Sequence, residues 1–196
     1  DLGVFSIKDK DNFSFFNKLD NDEFKFIYLL GADNINFDKK NKFIVYQGSH
    51  GDKGAEIADV ILPGAAYTEK DGSFVNLEGK LQSAYKASYP PGDAREDWTI
   101  LRALSEELGH PLSYDNLAEV RARMVEVAGT FADQEDDAPA AQWGDFGVTG
   151  DIAGGDLILC NEDFYQTNPI CRASETMADC SSQILGQVRE ATGTNG

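Results

Sequence analysis

Three short apolar runs, spaced about a dozen residues apart, constrain this chain more than any other feature. FKFIYLL at 24–30 ends at Gly31, FIVY at 43–46 leads into Gly48, and ADVILP fills 58–63. Apolar runs that do not alternate with polar residues are the habit of strands covered on both faces, as in parallel sheets. The intervals are close to the shortest that can carry a parallel crossover, so the connecting helices must be short. The expected class is α/β. Pro63 has no amide hydrogen to donate and belongs at the end of its strand.

Beyond these runs, SFVNLEGKLQSAY at 73–85 alternates well enough for a strand pair, with Glu78 and Gly79 at the bend. A helix is expected next. Asp93 is placed to cap it and Glu96 to complete a capping box, Trp98, Leu101, Leu104 and Leu108 share a face, and Gly109 and Pro111 stop it. A second helix starts near 116, with Leu117, Val120, Met124 and Val127 on one stripe and Glu119 and Arg123 spaced for an ion pair. Periodicity then vanishes over 128–157, an acidic stretch rich in Gly and Ala that reads as a linker or an arm. A last helix is expected from Asn168 with Pro169 at its first position, and Ile170, Ala173, Met177, Cys180, Ile184 and Val188 line one side. That side needs a cover, either the α/β unit or another subunit. The organisation is thus an α/β segment over 1–127, a linker over 128–160 and a docking helix with tail over 161–196.

Composition narrows the function. A chain of 196 residues that is 41% hydrophobic can bury one core. No run approaches the roughly 18 apolar residues of a membrane span, so direct membrane insertion is not expected. The start, DLGVFSIKDKDNF, lacks the basic and apolar regions of a secretory signal. A formal charge of −17 repels phosphate backbones and anionic lipids, which argues against nucleic acid and membrane surfaces and suits either solubility or a basic protein partner. Cys160, Cys171 and Cys180 form no CxxC pair, and three thiols without paired ligands build neither an iron–sulfur cluster nor a structural zinc site. They are expected as reduced thiols. Every Lys lies at or before Lys86 and every Arg at or after Arg95, a division for which side-chain chemistry offers no reason.

Catalytic signatures are sparse. The loop QGSHGDKG at 47–54 follows a strand, the place where α/β sheets bind ligands, yet Gly48, Gly51 and Gly54 do not spell GxGxxG and read as a tight turn. His50 and His110 have no visible partner in sequence. Asp59, Glu69, Asp71 and Glu78 offer paired carboxylates, but in so acidic a chain they read as caps and turns. Neither GxSxG nor another nucleophile motif is present. No catalytic, cofactor-binding or metal residue is assigned.

The segment GDKGAEIADVILPGAAYTEKDGSFVNLEGKLQ, 51–82, resembles the part of the molybdopterin oxidoreductase superfamily in which an ADVVLP-type strand leads to a glutamate, a Gly-Ser/Thr turn and an NxEG(R/K) element. IVYQGSHGD, ILPGAAYTEKDGSFVN and PPGDAREDWTILRALSE together resemble the large iron–sulfur subunit of respiratory complex I, of the alphaproteobacterial and mitochondrial type. DFYQTNPICRASETMADC at 163–180 is similar to the C-terminal extension of that group. The likeness covers about 27–127 and 161–185, in order. It implies a scaffold segment of a molybdopterin-oxidoreductase-like domain in the peripheral arm, with short parallel strands, a small hairpin, packed helices and a C-terminal helical arm. The [2Fe-2S] and [4Fe-4S] clusters of the family belong to a cysteine-rich half not found here, so no cofactor is expected in this chain. Implied partners are that half and neighbouring peripheral-arm subunits, on the matrix side of the mitochondrial inner membrane or the cytoplasmic face of a bacterial one. Phe164, Tyr165, Ile170, Met177, Ile184 and Val188 are the residues expected to meet a partner. GADN at 31–34 stands at a strand end without the Asn-Pro form of pterin-binding relatives, which argues against a pterin. The alternatives are a piece of a true molybdopterin enzyme such as a formate dehydrogenase, and an independent acidic binding module.

Overall fold

A computed structural model describes residues 24–33, 37–76, 80–128, 150 and 163–186. The three apolar runs form strands β1 (Phe26–Leu30), β2 (Phe43–Gly48) and β3 (Val60–Pro63), and all pairings are parallel in the order β1-β2-β3. Pro63 closes β3 as expected. Only β2 is covered on both faces: Ile44, Val45, Tyr46 and Gln47 are all buried. The expectation of full cover fails for β1 and β3, where Phe26, Leu30 and Ile61 are each more than half exposed. Position in the sheet explains this, because among the described residues each outer strand pairs with β2 alone. The core is built on Leu29, Ile44 and Tyr46, with Ile27, Phe37, Ala55 and Ile57 packed against it.

The β2–β3 crossover carries the four-residue helix α1 (Lys53–Glu56), whereas the described part of the β1–β2 connection holds no helix. Close approach fixes α1. A Cβ on Gly54 would meet Ala32 O at 2.8 Å and Asp33 Cα at 3.0 Å, both backbone atoms that cannot rotate away. Gly54→Ala is expected to lower stability by about 1–2 kcal/mol even after its gain in helix propensity. Urea unfolding measures it, and an unchanged midpoint would show that the loop yields freely.

Asp59 starts the β2–β3 ladder. Its amide donates to Ile44 O at 2.8 Å, and its carboxylate accepts from Ile44 N at 2.8 Å and from Lys39 Nζ at 2.7 Å. The bond from Lys39, then that from the Ile44 amide, holds the carboxyl below the ordinary carboxylate range. A folded-state pKa below the unfolded value gives stability that is present above the unfolded pKa and lost as pH falls through the folded one. Asp59→Asn should therefore narrow the gap between urea midpoints at pH 7 and at low pH. A gap equal to the parent's would refute the assignment.

A hairpin follows, β4 (Gly72–Val75) antiparallel to β5 (Leu81–Ala84), closed by Asn76, whose amide donates to Lys80 O and whose side chain accepts from Lys80 N. The bend expected at Glu78 and Gly79 lies outside the described residues.

Helix α2 (Asp97–Glu107) begins later than Asp93 could cap it. The chain first turns, with Ala94 N donating to Pro91 O, and then Arg95 runs parallel to Gly64, exchanging bonds with Pro63 and Ala65. That extended stretch delays the helix, so Glu96 becomes its cap residue. Its carboxylate accepts from Trp98 Nε1 at 2.8 Å rather than from a helix amide. Trp98, Leu101 and Leu104 are half-buried, but Leu108 is exposed.

Helix α3 (Leu117–Val127) is capped by Asn116, which accepts from Glu119 N at 3.0 Å. The expected Glu119–Arg123 pair is not formed, since Glu119 reaches back to accept from Asp115 N at 2.7 Å and Arg123 pairs with Glu126. A cap next to the chain entry is nearer to this carboxylate than the next turn is. Val127, the last member of the expected stripe, is exposed.

The last helix is in fact two. After a 3-10 turn (Phe164–Gln166), α4 (Pro169–Arg172) starts at the Asn168 cap with Pro169 first, and α5 (Glu175–Leu185) starts anew at Ser174. Ser174 is extended and its hydroxyl accepts from Met177 N, so the side chain replaces the turn that a continuous helix would need. Ala173, Ala178 and Ser181 are the buried positions, and Ser181 Oγ donates to Asp163 at 2.5 Å. The small residues let α5 lie close on the 3-10 turn, leaving Ile184 exposed rather than on the covered side. Most of the 128–157 stretch, Cys160 and Val188 lie outside the described residues.

Candidate functional site at the strand ends

Parallel pairing brings the C-terminal ends of β1, β2 and β3 to one edge, where ligands of α/β sheets sit. The β1 end delivers Asp33, which is buried, and the β2 end delivers the loop of Ser49 to Asp52. Into this crevice comes Arg172, the last residue of α4. Its Nη2 meets Asp33 Oδ2 at 2.7 Å and its Nε meets Asp52 Oδ2 at 2.7 Å. One guanidinium thus bridges two carboxylates from two strand ends and ties residues 163–186 onto the α/β unit. Burial opposes the charge of Arg172, but the bonds and charges of Asp33 and Asp52 override it and hold the guanidinium above the ordinary arginine value.

Tyr46 stands behind this bridge and donates its hydroxyl to His50 O. Burial, then the Asp33 charge, outweighs the opposing Arg172 and, with Asp52, pushes the phenol up to about 12. Tyr46 is therefore a neutral donor at any physiological pH.

On the other side of β2, buried Gln47 accepts from Tyr28 and donates to Asp97 Oδ1 at 2.9 Å, while Lys70 pairs with the second oxygen of Asp97. This chain of bonds fastens α2 to the sheet. Burial, followed by the Asp97 charge, raises the Tyr28 phenol.

Between β2, β3 and the turn before α2 lies a pocket of about 430 Å³, lined by Tyr46, His50, Ile61, Glu69, Asp93 and Ala94 among others. A second space beside it is lined by His50, Ile170, Ala173, Ser174 and Glu175.

Residues 4–107 match the molybdopterin oxidoreductase family, just over half of the chain. The chain belongs to that family. Residues 126–180 match the C-terminal region of the NADH-ubiquinone oxidoreductase G subunit. The chain is 45% identical to the NADH-ubiquinone oxidoreductase 75 kDa subunit of Reclinomonas americana over 93% of its own length and 26% of that protein. It is 46% identical to the mitochondrial 78 kDa subunit of Candida albicans, over 89% of this chain and 26% of the relative. Against the mitochondrial 78 kDa subunit of Neurospora crassa the identity is 46%, over 81% and 22%. The chain spans about a quarter of the length of these curated relatives. The resemblance read from 51–82, 44–52 and 163–180 is therefore the right one, and a formate dehydrogenase is not favoured.

The crevice of this molybdopterin oxidoreductase member does not suit a pterin dinucleotide. Phosphates need cations or free amides at the strand ends. Here those ends present two inward carboxylates, their guanidinium is already engaged by both, and the adjoining pocket adds Glu69 and Asp93.

Of the residues singled out in sequence, Glu69 accepts from Ala66 N at 2.9 Å within a local turn, whereas Asp59 and Asp71 accept from Ile44 N and Lys86 N, both at 2.8 Å and each 15 residues away, and so tie separate segments together rather than cap a turn. Glu78 lies outside the described residues. His50 reaches Ser49 Oγ at 3.2 Å, and His110 is exposed beyond α2. Cys171 and Cys180 are free thiols. Among the described residues no group of three His, Cys, Asp or Glu side chains could hold a metal ion, and no helix is long and apolar enough to cross a membrane.

Of the residues expected to meet a partner, Val188 lies outside the described residues. Phe164 is exposed and lies against Tyr165, Ile184 is exposed on α5, Met177 is half-buried, and Ile170 lines the space shared with His50, on the side of the α/β unit. The bridge of Asp33, Arg172 and Asp52 was missed in sequence because its members are 139 and 120 residues apart. One signal pointed to it. Arg172 is the only Lys or Arg between Arg123 and Arg189, and a lone cation in so acidic a segment is suited to pairing.

Proposed function

We propose that this chain is the C-terminal scaffold portion of the large iron–sulfur subunit of NADH-ubiquinone oxidoreductase, complex I, and carries no electrons itself. The observation that carries this reading is the continuous likeness, at 45% identity over 93% of the chain, to a subunit of that name. Two family matches in sequential order, 4–107 and 126–180, support it. The scaffold role is supported by the strand-end crevice, where Arg172 occupies the place of a ligand. In this reading the [2Fe-2S] and [4Fe-4S] clusters belong to a part of the subunit that the match does not cover. The partners are that part and neighbouring peripheral-arm subunits, met in part through exposed Phe164 and Ile184. The place is the matrix side of the mitochondrial inner membrane, or the cytoplasmic face in a bacterium.

Native purification from the source tests this. The chain should co-migrate with a very large NADH-oxidising assembly that contains iron, and a cysteine-rich partner should appear by mass spectrometry. Stoichiometric molybdenum would favour the formate dehydrogenase alternative, and migration as a small free species would favour an independent acidic module.

A further inference from the structure

We propose that the strand-end crevice of this chain is a guanidinium site, filled in cis by Arg172, which latches residues 163–186 over the Ser49–Asp52 loop. The inference does not depend on the function proposed above. Three observations converge on it.

The first is geometry. Asp33 and Asp52 approach the guanidinium through its Nη2 and Nε, two donors held in one rigid plane, with both distances 2.7 Å. A planar fork presents donors in fixed directions, whereas an ammonium is a compact point charge on a flexible stem. The remaining nitrogen, Nη1, faces Gln166 O at 3.4 Å, so the carbonyl of the preceding turn closes the third side.

Burial is the second. Asp33 retains 4% of its side-chain exposure, Asp52 11% and Arg172 12%, well below the pairs Lys39–Asp59, Lys70–Asp97, Arg102–Glu106 and Arg123–Glu126. A carboxylate pair this enclosed repels itself and requires a cation between its members.

The third is how the segment is held. Its helices pack most heavily within the segment itself: α5 on the 3-10 turn, α4 on that turn, and α4 on α5. The closest polar ties to the sheet unit come through Arg172. The segment thus carries one key side chain into the crevice. Its neighbours in the crevice, Ile170, Ala173 and Ser174, line a space with His50, so removing the key uncovers His50 and the β2 loop together.

The site takes an alkylguanidinium by chemical class, which makes it open to rescue. Hydrogen exchange of residues 163–186 is followed in the full chain, within its assembly where it purifies with one, for the parent, Arg172→Ala and Arg172→Lys. Exchange of β2 amides reports in the same experiment whether each variant remains folded. Both variants are expected to exchange in the 163–186 segment about tenfold faster or more than the parent. Added methylguanidinium should restore protection in Arg172→Ala saturably, while methylammonium at equal ionic strength should not. Full protection in Arg172→Lys would mean that charge alone suffices and would overturn the assignment. So would equal action of the two added cations, or parent-like exchange in Arg172→Ala. Should Arg172→Ala lose β2 protection as well, Arg172→Lys decides the matter.

Discussion

Asp33→Ala is expected to lower the stability of the chain by about 3 kcal/mol, because it leaves a buried guanidinium with only one of its two carboxylates. Asp33 retains 4% of its side-chain exposure and Arg172 12%. Water cannot easily replace the missing carboxylate at such a site, so the loss of solvation of Arg172 goes uncompensated. The backbone of Asp33 is not the cause, since its carbonyl can still accept from Gly54 N. Urea unfolding gives the size, and a double-mutant cycle with Arg172→Ala gives the mechanism. The two substitutions remove one tie, so their effects should fall short of additivity by about 1–3 kcal/mol. Strict additivity would assign the loss to something other than the bridge. An internal contrast is available in Arg123→Ala, which breaks the exposed pair with Glu126 and should cost about 0.5 kcal/mol or less.

Ile44→Ala is the second large effect, at about 3–4 kcal/mol. Ile44 has no exposure and sits in the middle of the central strand, against Leu29 and Tyr46. Removing three of its carbons gives up their transfer free energy and leaves a cavity, because β1 and β3 hold β2 in register on both sides and keep the walls from closing. Phe26→Ala supplies the comparison. Phe26 stacks on Phe43 at 6.2 Å but is 56% exposed, so its larger side chain should cost under about 1.5 kcal/mol. Equal losses for the two variants would mean that the described face of β1 is covered in solution by another part of the assembly.

The contrast between these two residues also measures how much of the fold was legible. FKFIYLL and FIVY look alike in sequence, and both become parallel strands. Hydrophobic pattern reports that a residue can be buried, but which strand lies in the middle depends on pairing order. The same limit applied at Asp93. Its cap chemistry was suitable, yet a parallel bridge between Gly64 and Arg95, about thirty residues apart, kept the backbone extended until Glu96. Asn116 and Asn168 met no such competitor, and both cap their helices as their local sequence required.

Sequence by itself determined the parallel α/β strands, the hairpin, the two Asn caps and, through three motif blocks, the family. The strands, the hairpin and the caps each depend on residues within about a dozen positions of one another, where periodicity and turn chemistry operate. Tertiary structure alone decided that β2 is the covered strand, that the final helix breaks at Ser174, and that Arg172 joins Asp33 and Asp52. The physical reason is distance along the chain: an ion pair between residues more than a hundred positions apart leaves no periodic trace, and exists only once the sheet has brought its strand ends together.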